Sequence, residues 1–526
     1  MTQIDLPRGA SDHNSFMPQS VTAFKAGYSL AKLKTDALAG LTVAIVALPL
    51  SMAIAIASGA QPAQGLITAI IGGFIISLLG GSLFQIGGPA GAFIVLVAST
   101  IERVGYGGFL TATLIAGVIL LIIGVLRLGS LIRFIPHSVI VGFSAGIAVI
   151  IGASQIKDFF GLQMAHEPAA FVPKLAALWA ARSGFSLSAT ALAVVSVALI
   201  AGLRVYRPRW PAFLIVVVLA ALAAWLFHLP VETIGTHFGG IPSSLPPPQL
   251  PDLNFATIQI VLPAGLTIAL LGGIESLLSA VVADSMSGTR HRPNAEIIAQ
   301  GIANIATALF GGICATGTIA RTATNIRARA ATPLSGIFHS LFVLLFILLA
   351  APAASYIPLP ALAAILMVVV WNMADKHEFM LILRHDRLEA LVLLTTCVLT
   401  IFIDLPTGIG AGVLLGAVIF MVRSGRNTYV DVSNIHESPP VIRLNGAFFT
   451  GTSASIGEDL ARIVPDTPEF IIRLDHMMFV DASFAPVLTT FVMRAKRLGS
   501  AVRLVGAPDT IRRILINNGM EPSLFQ

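Results

Sequence analysis

The 526-residue chain is 56% hydrophobic and only 11% charged, with a mean hydropathy of +0.88, which excludes a water-soluble globular protein of this length. Its formal charge of +6 would suit a nucleic-acid binder, but the basic residues are sorted by membrane topology, so no nucleic-acid partner is expected. Two cysteines, Cys314 and Cys397, each inside an apolar run, exclude a disulfide framework and argue against a thiolate metal site.

Residues 1–35 carry Asp5, Arg8 and Asp12 among Ser and Asn, with no short apolar core and no small-residue cleavage site. This reads as a cytosolic N-terminal segment and not as a signal peptide. Residues 36–426 form the membrane domain, in which apolar stretches approach the ~20 residues that a bilayer requires. Fourteen spans are expected, at 37–58, 63–80, 87–101, 108–126, 134–155, 184–203, 210–228, 260–283, 295–312, 319–331, 334–355, 358–373, 388–403 and 406–422. Eighteen Lys and Arg then lie on the cytosolic side, among them Lys25, Arg127, Arg133, Arg209, Arg327 and Arg423. Outside lie Arg103, Lys157, Lys174 and Arg182, and the segment 229–258 has no Lys or Arg, as the positive-inside rule demands.

The third and tenth spans are too short and polar to cross alone, and their approaches match. One runs Gly80-Gly81-Ser82-Leu83-Phe84-Gln85-Ile86-Gly87-Gly88-Pro89-Ala90-Gly91, the other Gly311-Gly312-Ile313-Cys314-Ala315-Thr316-Gly317-Thr318-Ile319-Ala320-Arg321. A second pair of landmarks, Phe134-Ile135-Pro136 and Tyr356-Ile357-Pro358, opens the fifth and twelfth spans. Equivalents separated by an odd number of spans must be inserted upside down, so the expected fold is a 7+7 inverted repeat. In such folds the paired interrupted helices aim their N-terminal ends at a shared site near the midplane.

The eighth span holds one carboxylate, Glu275, deep in an apolar helix, with Ser279 four residues on over the same face. Such a group is costly in lipid and faces either a cavity or a hydrogen-bonding neighbour. Arg321 stands at the start of the tenth span, where its guanidinium can fork onto a carboxylate or sulfate, or can neutralise Glu275. With two helix N-termini the site approaches ~+2, suited to a small anion. No phosphate loop, HExxH or paired nucleophile and base supports an enzyme, and nothing calls for a cofactor or a metal. After Arg426 the pattern turns soluble. Strand-like runs at 441–449, 470–474 and 502–505 alternate with amphipathic helices at 453–463, 483–498 and 510–518, giving a small α/β domain over 438–526.

The stretches Ala47-Leu48-Pro49-Leu50-Ser51-Met52-Ala53, Gly88-Pro89-Ala90-Gly91-Ala92, Gln155-Ile156-Lys157-Asp158-Phe159-Phe160-Gly161 and Ile274-Glu275-Ser276-Leu277-Leu278, with Asp284-Ser285-Met286-Ser287-Gly288 beyond, resemble the SulP anion transporters that end in a STAS domain. The Glu275 and Gln155 stretches look most like bacterial members that carry C4-dicarboxylates such as succinate. The resemblance implies a homodimer in the bacterial inner membrane with its N-terminus and STAS domain cytosolic. It places the substrate among spans one, three, eight and ten, at Ser51, Gly88, Pro89, Ala90, Gly91, Thr318, Ile319, Ala320 and Arg321, with Glu275 and Ser279 as the coupling residues. Spans one to four and eight to eleven would form a core that moves against a gate made by the rest. Sodium-coupled relatives appear with a hydroxyl at Ile319 and an aspartate at Glu275, so the coupling ion expected here is a proton. Sulfate or bicarbonate transport, by symport or exchange, and an uncoupled anion channel are the alternatives. STAS regulators carry Asp-Ser-Ser-Gly, whereas this chain has Asp481-Ala482-Ser483-Phe484, which implies a scaffold or dimerisation role and not a phosphoserine switch.

Overall fold

The first long helix, α1 (Leu30–Ala57), begins where the Ser29 side chain accepts the Lys32 N–H at 3.3 Å, and it carries Pro49 in its interior. The computed structural model describes residues 16–129, 136–164, 167–168, 170–207, 210–434, 439–463 and 467–526. Asp5, Arg8, Asp12, Arg133, Arg209 and the landmark pair Phe134 and Ile135 lie outside the described residues.

After α1 come α2 (Pro62–Leu79), a two-residue strand β1 (Gly87–Gly88), a 3-10 turn (Gly91–Phe93) and α3 (Ile94–Val125). Then follow α4 (His137–Phe160), α5 (Leu187–Tyr206), α6 (Ala212–Leu226), α7 (Phe255–Ser287) and α8 (Pro293–Leu309). A second two-residue strand, β2 (Thr316–Gly317), leads into α9 (Ile319–Arg327), α10 (Leu334–Ala354), α11 (Leu359–Met373), α12 (Arg387–Phe402) and α13 (Leu405–Arg426). Helix occupies every segment expected to span, and among the described residues nine helices are long and apolar enough to cross a membrane alone. The third and fourth expected spans form one helical run, Gly91–Val125, of 35 residues, which would be about 50 Å long if straight. Gly105 breaks it with φ 73° and ψ 174°, a backbone that side-chain-bearing residues rarely adopt.

The chain divides into two units at residues 412 and 413. In the first, α1, α2, α3, α7, α8, α9 and α10 pack on one another, while α4 packs on α11 and α12, and α5 on α6 and α11. The centre of the first group is the antiparallel pairing of β1 with β2, Gly87 opposite Gly317 and Gly88 opposite Thr316. Oppositely inserted half-helices require that sense of pairing, because each strand is the lead-in to its own helix.

The second unit holds β3 (Tyr429–Asn434), β4 (Val441–Phe448), β5 (Glu469–Arg473), β6 (Met477–Val480) and β7 (Ala501–Val505) in the order β3-β4-β5-β7, with β6 beside β4. All pairings are parallel except β3 with β4. Helices α14 (Thr450–Arg462), α15 (Phe484–Arg497) and α16 (Asp509–Asn517) complete it, and Phe448, Phe470, Phe484, Leu488 and Leu504 form its core. The three expected strands and three expected helices are present, and β3 and β6 add two strands that the sequence pattern does not mark. β6 is four residues long and its middle pair, Met478 and Phe479, is exposed, so it lacks the inward alternation that marks a strand in sequence. β3 lies ahead of residue 438, so the sheet begins before the boundary read from composition.

A candidate anion site where two interrupted helices meet

Where β1 crosses β2 the backbone passes so close to Arg321 that only glycine fits. A Cβ at Gly88 would lie 1.8 Å from Arg321 Nη1, and one at Gly317 would lie 1.4 Å from Gln85 Nε2. Arg321 is only 1% exposed, yet it lies on α9 three residues past the N-cap, so its stem is carried inward beneath the crossing. Its Nη2 donates to Ser51 Oγ on α1 and to the Pro89 carbonyl, each at 3.1 Å. Nε and Nη1 have no hydrogen-bond partner among the described residues. The guanidinium thus ties α1, β1 and α9 together with part of its donor capacity still open.

The helix ends supply further donors. The first-turn N–H groups of Ile319, Ala320 and Arg321 have no intrahelical acceptor. No side chain caps α9 either, since Thr318 sends both its N–H and its hydroxyl to the Ile86 carbonyl, at 3.1 and 3.4 Å. Ile319 is 38% exposed and Ala320 is exposed, so this end opens onto accessible space. Opposite, Ala90 caps the Gly91 turn through backbone geometry alone. Gly91 is half-buried, and a Cβ there would lie 3.5 Å from Met373 Sδ. Ser51, Gly88, Pro89 and Arg321 are therefore brought into direct contact, with Ala90, Gly91, Thr318, Ile319 and Ala320 following on the same two segments.

Glu275, on α7, is half-buried, and its Oε2 is buried without a hydrogen-bond partner. Ser279 is fully buried and donates to Thr322 Oγ1 at 3.3 Å, the same oxygen that accepts the Ile86 N–H at 3.1 Å. Its hydroxyl therefore holds α9 to α7 behind the crossing. Sequence reasoning missed a second layer made of Gln85, Ser276, Glu296, Gln300 and Asn304. Gln85 Nε2 donates to Ser276 Oγ at 2.8 Å, and Gln300 Nε2 donates to Glu296 Oε1 at 2.9 Å. The rule that singled out Glu275, an acid within an apolar run, also applies to Glu296, and Glu296, Gln300 and Asn304 recur at helical four-residue spacing.

A polytopic helical bundle whose two interrupted helices meet over a buried cation, with uncapped N-termini beside it, is the architecture of a membrane anion transporter. Residues 33–396 match the model of the sulfate permease family and residues 432–525 that of the STAS domain, so the chain belongs to the sulfate permease family. It is 39% identical over 504 residues to the putative sulfate transporter YvdB of Bacillus subtilis, covering 94% of this chain and 95% of that one. It is 30% identical over 422 residues to the bicarbonate transporter BicA of Picosynechococcus, covering 78% of this chain and 74% of that one. The solved transmembrane domain of a cyanobacterial BicA superposes with a TM-score of 0.66 at 32% identity, over 73% of this chain and 99% of that one. Murine Slc26a9 in its inward-facing state gives 0.84 at 16% identity, over 99% and 92%, a likeness of fold.

Proposed function

We propose that the protein is a proton-coupled secondary transporter that takes up a small dianion, a C4-dicarboxylate such as succinate, at the site formed by residues 88–91, 318–321 and Ser51. The observation that carries the coupling is the buried, partnerless Oε2 of Glu275, together with Ile319, a hydrocarbon, exposed where a sodium site would want an oxygen. Two helix N-termini and Arg321 sum to ~+2, and an ionised Glu275 lowers this to ~+1, so a proton on Glu275 restores the charge that matches a dianion. Carrying two negative charges inward against a membrane that is negative inside costs ~2.3 kcal/mol per charge per 100 mV, and at least two protons per dianion remove that cost. The Lys and Arg distribution supports a cytosolic N-terminus and STAS domain in a bacterial inner membrane.

The names of the relatives favour a second reading in which the anion is sulfate or bicarbonate. Reconstituted protein offered radiolabelled succinate, sulfate and bicarbonate distinguishes them. Under the first reading succinate accumulates uphill, faster as external pH falls and equally well in choline or sodium. Glu275→Gln keeps anion exchange but loses accumulation driven by a pH gradient. Accumulation by Glu275→Gln, or arrest of the wild type in choline, overturns proton coupling, and dissipation without uphill accumulation makes the protein a channel.

A further inference from the structure

Glu296 is fully buried in the membrane unit, in the layer behind the anion site, and does not itself line it. Its Oε2 accepts the N–H groups of Gly81 at 2.9 Å and Ser82 at 3.2 Å, the lead-in to β1. Its Oε1 accepts from Gln300 Nε2 at 2.9 Å and from Ser276 Oγ at 3.4 Å. Two turns further along α8, Asn304 clasps the lead-in to β2, accepting the Ala315 N–H at 2.9 Å and donating to the Ala315 carbonyl at 2.8 Å. Asn304 Nδ2 also donates to the Gln300 carbonyl at 2.8 Å. One rigid helix therefore grips both half-helix approaches at points eight residues, about 12 Å, apart.

The same grip reaches the coupling carboxylate. Ser276 follows Glu275, and consecutive residues on a helix point about 100° apart, so the Ser276 to Glu296 bond sets the rotation of α7 that decides where Glu275 faces. From Ser276 the chain of bonds continues to Gln85, whose side chain lies flat against Gly317 of β2. We propose that Glu296 and Asn304 are positioning residues for anion transport: α8 is a ruler that fixes the spacing of the two half-helix ends and the facing of Glu275. A buried carboxylate with four donors is a demanding thing to keep in a membrane, and here two donors come from the lead-in to β1, one from α7 and one from the next turn of α8 itself. The proposal rests on the reading of Arg321 and Glu275 as the site. A glutamine at 296 offers one acceptor oxygen in place of two and turns an N–H₂ toward existing donors, so it should loosen the frame without changing its volume.

The test compares Glu296→Gln, Asn304→Ala, Ser276→Ala and Gln85→Ala with the wild type, full length, in lipid. Succinate, sulfate and bicarbonate serve in turn as uptake probes, and amide hydrogen exchange is read over β1, β2 and α9. Expected is a rise in KM of about tenfold for Glu296→Gln and for Asn304→Ala, for whichever probe the wild type takes up, normalised to folded protein. Ser276→Ala and Gln85→Ala shift KM the same way by less, and the amides of both strands exchange faster in all four. A purely structural role would lower the unfolding temperature yet leave KM and strand exchange at wild-type values, and that result overturns the proposal. If Glu296→Gln does not fold, Asn304→Ala and Gln85→Ala decide on the same criteria. If the wild type takes up none of the probes, the transport reading fails, while strand exchange still decides the ruler.

Discussion

The two units bury opposite things. Among the described residues the membrane unit encloses Asp36, Lys174, Arg292, Glu296 and Arg321, and Arg321 heads its fully buried side chains by volume. It turns Leu262, Leu270, Trp225 and Phe74 outward. The second unit encloses Phe448, Phe470 and Phe484, and among its described residues every Asp, Glu, Lys and Arg past residue 440 is at least partly exposed. In water the apolar groups drive the interior together, so a sheet and three amphipathic helices suffice. In lipid that drive between helices is missing, and specific packing and hydrogen bonds must decide the interior. A point change in the first unit should therefore act on function, and one in the second on stability.

The sharpest break in that contrast is Arg321→Ala. Ser51 and the Pro89 carbonyl lose their donor and the anion loses its full positive charge, so uptake should vanish while the protein still elutes as a folded species from lipid. Wild-type rate and affinity in that variant would remove Arg321 from the site. Next comes Gly88→Ala. Its methyl would collide with Nη1 at 1.8 Å, so the guanidinium must move and uptake should drop by at least ~tenfold, with the unfolding temperature of the membrane unit also lowered. An unaltered rate would mean that the guanidinium yields to the methyl without leaving the site.

In the second unit, Phe470→Ala should cost about 3–5 kcal/mol of domain stability without changing KM or the order of preference among anions. Deleting residues 438–526 sharpens the same point: yield should fall more than selectivity changes, and a truncated protein that folds normally but prefers a different anion would contradict this division. The smallest effect concerns Asp481. Partial burial works against its charge, but hydrogen bonds from Ser483 and Thr450 hold its carboxyl below the ordinary value. Because the folded value is depressed, this contribution is fully present above the unfolded carboxylate value of ~3.9 and is lost as pH falls through the lower folded value. Acid unfolding of Asp481→Asn, followed by circular dichroism, should be less steep in that window than for the wild type; identical curves would show that these bonds add nothing.

Sequence alone determined the class of the protein, because hydropathy and loop charge are local sums that do not depend on which helix lies next to which. It also determined the paired Gly-Gly approaches and the isolated carboxylate Glu275, since an interrupted span or an acid in lipid stands out against its neighbours. Only the tertiary structure decided the partners. Arg321 meets Ser51 across 270 residues and Gln85 meets Ser276 across 191, separations over which no periodic pattern carries information. Ser279 lies on the predicted face but bonds to Thr322, and Glu296, which obeys the same rule as Glu275, has one local donor in Gln300, whereas Gly81, Ser82 and Ser276 reach it only when the segment after α2 and helix α7 pack on α8. The cost of a buried polar group can be read from one residue and its flanks, whereas the bonds that offset the cost come from wherever folding brings the other helices.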